Sequence, residues 1–176
     1  MRILLTMAAA GAAAVSLAGC SNDEAPAPAP ETAAAETLAA GEYEVATKVE
    51  DLRSTDHTTP LTKLKLMTAG DSPAVHRACV AADGTIAPDM FTEAGDSCKV
   101  DNSYSRNGKI NLQLGCTRPG APGQVMHSVD GDFKADSFTA TVNTGTYFTG
   151  SGDYAMRRTM TARRVGNCRA EGAKKA

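Results

Sequence analysis

An all-β domain of antiparallel strands is the fold class this sequence predicts, and three observations predict it. From Gly41 onward, apolar and polar residues alternate with period two in several stretches, the spacing of half-buried strands. Turn signals at Arg106-Asn107-Gly108 and Ala135-Asp136 separate such stretches in the manner of hairpins. Cys79, Cys98, Cys116 and Cys168 are spread through the same region, an even number that suits two disulfides in an exported chain. About seven to eight strands are expected, as a meander forming a small barrel or sandwich with one short helix.

The first strand carries Tyr43, Val45, Thr47 and Val49 on one face and Glu42, Glu44, Lys48 and Glu50 on the other. A second is expected where Thr62, Leu64, Leu66 and Thr68 alternate with Lys63 and Lys65. The short helix is placed within Ile86–Glu93, opening near Pro88. Ser105-Arg106-Asn107-Gly108-Lys109 then reads as a three-residue hairpin loop with Gly108 in the left-handed region. That loop sets Tyr104 opposite Ile110, Asn102 opposite Leu112, Val100 opposite Leu114 and Cys98 opposite Cys116. A two-residue Asn-Gly turn shifts the register by one and sends the cysteines to opposite faces, so the longer loop is expected. A Cys98–Cys116 bridge follows, which leaves Cys79 and Cys168 for each other.

A second hairpin at Ala135-Asp136 sets Phe133 against Phe138 and Val129 against Val142. The last strand runs near Tyr154–Val165, with Met156, Met160 and Ala162 alternating with Thr159, Thr161 and Arg163. Segments 69–73, 117–123 and 143–153 are rich in Gly, Pro, Asn and Ser and read as loops.

Ahead of the domain, Met1-Arg2 leads an apolar run from Ile3 to Ala18 that ends in small residues before Cys20, the layout of a secretory signal. Leu17-Ala18-Gly19-Cys20 resembles the bacterial lipoprotein box, which implies removal of residues 1–19 and lipidation of Cys20 by palmitate-type chains. Two or more acyl chains would anchor the protein firmly, since each buried methylene contributes roughly 0.8 kcal/mol. Ser21 in place of aspartate implies, by the same resemblance, the outer membrane, facing the periplasm. Residues 20–40 are the lipidated cysteine and an Ala/Pro-rich tether whose one leucine gives it little to bury. The β domain is expected over 41–169 and a disordered tail over 170–176.

Removing residues 1–19 from 176 leaves 157, enough for one domain with its tether. Loss of Arg2 takes the formal net charge from −2 to −3, a mild value that gives no nucleic-acid preference.

Three pieces carry a wider resemblance: Gly41-Glu42-Tyr43-Glu44-Val45, Cys98-Lys99-Val100 answered by Leu114-Gly115-Cys116, and the close Met160-Thr161-Ala162-Arg163-Arg164-Val165-Gly166-Asn167-Cys168. Together they resemble an exported proteobacterial family known as domain of unknown function 3617, over roughly 41–168. Tyr43 stands where that family usually has tryptophan, and Val80-Ala81-Ala82 replaces a usual Pro-Glu. The resemblance implies a single β domain and carries over no catalytic residue.

The histidines are His57 in a polar segment, His76 three residues before Cys79, and His127 on the strand side of Val125 and Val129. No Cys-x-x-Cys or Cys-x-x-His spacing exists, and no Gly-x-Ser-x-Gly elbow is present. Asp130-Gly131-Asp132 with Asp136 lacks the frame of an EF-hand and reads as a turn. Arg157, Arg158, Arg163, Arg164 and Arg169 make the C-terminal end basic, which suits solvated charge and protection of a sheet edge. Among them, Arg163 and Arg164 are the candidates for contact with an anionic lipid, a glycan or an envelope protein. The expected function is a lipid-anchored, non-enzymatic binding or structural module that needs no cofactor or metal. The alternatives are a lumen holding an apolar small molecule among Val100, Leu112, Leu114, Met156 and Met160, a partner-docking module, or a periplasmic hydrolase using His57, His76 or His127.

Overall fold

The computed structural model describes residues 37–60 and 72–168. The lipoprotein box with Cys20, most of the tether, the expected strand at 62–68 and the tail at 170–176 lie outside the described residues. Among those described, no helix is long and apolar enough to cross a membrane.

Among the described residues, seven antiparallel strands form one curled half-barrel sheet. They are β1 (Gly41–Ser54), β2 (Ala74–Val80), β3 (Ser97–Arg106), β4 (Lys109–Arg118), β5 (Ala121–Lys134), β6 (Ser137–Phe148) and β7 (Tyr154–Gly166), in the order β2-β1-β7-β6-β5-β4-β3. From β3 to β7 the sheet is a meander, and β1 closes against β7. The expected helix is one 3-10 turn, Pro88–Met90, in the segment that joins β2 to β3.

Alternation places the core on one face. Tyr43 and Val45 of β1, Leu112 and Leu114 of β4, Val125 and Val129 of β5, and Met160 of β7 are all buried. A lone sheet has one face too many for its apolar side chains, and the β2–β3 segment covers it with Met90 and Phe91, both fully buried. Phe91 packs on Phe138 with ring centroids 5.6 Å apart. Each such side chain contributes roughly 1.5–3 kcal/mol on burial. Leu38, read from sequence as part of the tether, is 2% exposed and belongs to this core, so the fold begins ahead of Gly41.

The hairpin at Ala135-Asp136 has the expected register, with Phe133 opposite Phe138 and Val129 opposite Val142. The β3–β4 hairpin corrects the expected one. Its turn is the two-residue Asn107-Gly108, both with positive φ (53° and 74°), so Arg106 pairs with Lys109 and Tyr104 faces Asn111 rather than Ile110. The cysteines still meet, because the register shifts between Val100 and Asn102. Asp101 is the extra residue of this bulge, and Val100 with Leu114 and Cys98 with Cys116 recover the expected pairing beyond it.

Both expected disulfides are present, Cys98–Cys116 and Cys79–Cys168, with Cα separations of 4.0 and 5.7 Å. The second ties β2 to the chain beyond β7, across the intervening β1. Two further expectations are corrected. Residues 143–148 are strand, because the hydroxyls of buried Thr144 and Thr146 find hydrogen-bond partners inside. Asp130 and Asp132 lie on β5, cross-strand from Asn111 and Lys109, and not in a turn.

Candidate functional site

Four strands deliver polar side chains to the buried face beneath the 88–96 segment. Arg118 ends β4, His127 lies on β5, Thr144 on β6, and Tyr154 and Arg158 on β7. Glu93 and Asp96 come down from the segment above them. Arg118 donates Nε to Asp96 Oδ1 at 2.7 Å and Nη2 to Asp96 Oδ2 at 2.8 Å. Its guanidinium also reaches Glu93 at 2.5 Å and the Tyr154 hydroxyl oxygen at 2.8 Å, while Tyr154 donates to Glu93 at 2.5 Å. The hydrogen bonds it donates to Asp96 hold the Arg118 guanidinium firmly charged, against the desolvation that opposes it. Burial first, and then the Glu93 charge, raise the Tyr154 hydroxyl above its ordinary range, so it stays a donor.

Arg158 is only 5% exposed. Its Nη2 donates to the Phe91 carbonyl at 2.8 Å, and its Nε has no partner. Burial lowers its pKa, although Glu93 and Asp96 oppose that change. Arg158 shares the parity of Met156, Met160 and Ala162 along β7, the sequence signal that it points inward. β7 is flanked by β1 and β6, so its arginines protect no sheet edge.

Between β1, β2, β7 and the 88–96 segment lies a pocket of about 480 Å³. Val49, Met156 and Met160 supply apolar walls, and His76, Glu93 and Arg158 supply polar ones. Of the five residues expected around a lumen, Met156 and Met160 line this pocket and Leu112 and Leu114 belong to the solid core. Val100 is 43% exposed on β3 and lines neither.

The histidines do not converge. His57 is exposed in the loop after β1, His76 lies at the pocket, and His127 is fully buried, its Nδ1 2.8 Å from Thr144 Oγ1. Burial first, then the Arg158 charge, push the His127 pKa down to about 4. Arg163 donates to Glu44 at 2.7 Å. Arg164 donates Nε to the Ala40 carbonyl at 2.8 Å and Nη2 to Asn167 at 2.9 Å. Both proposed contact arginines thus brace the end of β7 against the start of the domain.

Sequence reasoning missed Glu93, Asp96 and Arg118. The first two lie in an irregular segment without periodicity, and only their nearness to Cys98 and Cys116 hinted that they meet. Asp56 was missed too: it accepts hydrogen bonds from Thr58, Gly152 and Asp153, which hold its carboxyl far below the ordinary range.

A family profile described as Protein of unknown function (DUF3617) matches residues 38–168. That match begins at buried Leu38 and ends at bridged Cys168. No curated protein and no solved structure matches the chain.

Proposed function

The chain belongs to the family of proteins of unknown function DUF3617, and on that footing we propose that it is a lipid-anchored, non-enzymatic binding module of the bacterial envelope, facing the periplasm. Its occupant is a small, mostly apolar molecule held in the pocket beneath the 88–96 segment. The single observation that carries this proposal is the pocket itself. Its volume of about 480 Å³ falls within the range of small-molecule sites, and thioether and aliphatic walls meet a few polar groups there. Methionine walls adapt to the shape of an apolar guest. Two of the three carboxylates that line the pocket are occupied, Asp96 by Arg118 and Glu93 by Arg118 and Tyr154, and they shape its wall; the third, Asp89, is exposed.

Anchoring rests on the lipoprotein-like Leu17-Ala18-Gly19-Cys20. Cells fed labelled palmitate are expected to label the wild-type protein and not Cys20→Ala; equal labelling of both would remove the anchor from the proposal. For the pocket, native mass spectrometry of protein recovered from the envelope is expected to show a non-covalent adduct. Val49→Trp, which fills the cavity, is expected to lose that adduct. An adduct-free wild type, or one whose adduct survives Val49→Trp, contradicts the pocket as the site.

A further inference from the structure

The Cys98–Cys116 bridge does not stand alone. A ring nitrogen of His127 and both sulfurs lie within 4.8 Å of one another, although the three residues come from three adjacent strands. Spacing along the chain could not reveal this, because the neighbours are made by the sheet: His127 is directly opposite Leu114, two residues from Cys116. His127 is fully buried. Its Nδ1 is engaged with Thr144 Oγ1 at 2.8 Å, while its Nε2 has no hydrogen-bond partner. Asp96 Oδ2 lies 4.0 Å from that free Nε2. An orphaned, buried nitrogen beside two sulfurs calls for an explanation, since buried polar atoms are nearly always partnered.

We propose that reduction of the Cys98–Cys116 bridge creates a metal site, in which two thiolates and His127 Nε2 take a zinc-like divalent ion with a solvent molecule in the fourth position. The atoms balance simply. A dithiol reductant supplies two electrons and two protons and closes to its own disulfide; the S–S bond breaks and leaves two thiols. The ion then displaces both thiol protons to solvent. A tetrahedral ion needs sulfur–sulfur and sulfur–nitrogen separations of about 3.8 and 3.6 Å, from metal–ligand bonds of about 2.3 and 2.0 Å. Once the bond between them is broken the sulfurs must move apart toward that distance, and the imidazole already lies within 4.8 Å of both. The Thr144 contact engages Nδ1 and leaves Nε2 as the nitrogen free to ligate, the role an outer-shell partner plays for a metal-bound histidine. Cys98 is half-buried, which gives a reductant access from the β3 side. The site is separate from the apolar pocket, and its failure would leave the binding proposal standing.

Cobalt(II) tests this directly, because tetrahedral thiolate coordination gives an intense sulfur-to-cobalt charge-transfer band and strong d–d absorption in the red. The full-length chain, reduced with a phosphine under anaerobic conditions, is expected to bind one cobalt per chain with both features. The oxidised chain is expected to show neither. The double variant Cys79→Ser/Cys168→Ser keeps the spectrum, and His127→Ala loses at least tenfold in cobalt affinity. Should His127→Ala fail to fold, the wild-type cobalt form is read by proton NMR for a paramagnetically shifted imidazole N–H. The proposal is overturned by a reduced chain that takes no cobalt, by an unchanged spectrum in His127→Ala, or by the absence of that shifted proton.

Discussion

Arg118 grips Asp96 through two parallel hydrogen bonds, Nε to Oδ1 at 2.7 Å and Nη2 to Oδ2 at 2.8 Å. The Asp96 side chain is fully buried and that of Arg118 is 19% exposed. This fork fastens the 88–96 segment over the sheet, and the segment forms one wall of the pocket. Arg118→Leu leaves a buried carboxylate without its cation, which costs about 3–5 kcal/mol. Urea denaturation measures that loss. Arg118→Lys is expected to recover only part of it, because an ammonium cannot reproduce the planar fork. Full recovery by lysine would show that charge alone holds the segment.

Burial of His127 makes stability depend on pH. The unfolded chain protonates this ring near pH 6.5, and the folded protein does so only near 4. Between those values the unfolded state binds more protons, so the contribution is whole above pH 6.5 and is lost as pH falls toward 4. The slope is about 1.4 kcal/mol per pH unit. Denaturation of wild type and His127→Gln at pH 7 and pH 4.5 isolates this share, and the variant is expected to lack it. Identical slopes would mean that the ring is not held neutral by its surroundings.

Gly131 on β5 is pressed against β6. A Cβ there would fall on the Thr139 carbonyl oxygen and against Ala140, both fixed in the sheet. Gly131→Ala is therefore expected to cost about 1–3 kcal/mol, the usual range for overpacking where backbone cannot yield. A thermal melt of the variant checks it, and an unchanged midpoint would contradict the close approach of the two strands.

The two bridges close loops of different length, with sequence separations of 89 and 18. On the chain-entropy account, losing Cys79–Cys168 costs about 4.6 kcal/mol and losing Cys98–Cys116 about 3 kcal/mol. Paired serine substitutions, compared by denaturant melts, should show this order. The reverse order would place the main bracing role on the hairpin bridge.

Much of this arrangement was legible before the structure, and the lapses have physical causes. Phe133–Phe138 was readable because alternation runs unbroken through that hairpin. In the β3–β4 hairpin the bridge was right and the turn was wrong, because a bulge is invisible to a rule that assumes constant register. Asp101 absorbs one residue, so a two-residue turn and facing cysteines coexist. The buried charges escaped for a different reason. Arg158 sits at a core position that its residue type argues against, and it is tolerated because Phe91 and Thr144 accept its hydrogen bonds. Glu93 and Asp96 reach the site from an irregular segment, where no period announces which way a side chain points. The walls of the pocket were half visible, since Met156 and Met160 alternate clearly on β7, while their partners across the cavity come from that same segment.

Titration with a naphthalene-type fluorescent dye, whose emission rises on leaving water, tests most directly whether the pocket beneath the 88–96 segment receives an apolar guest. Wild type is expected to show saturable binding of one dye per chain, weakened at least tenfold in Val49→Trp with the fold intact by circular dichroism. Non-saturating emission that is the same in both proteins would contradict it.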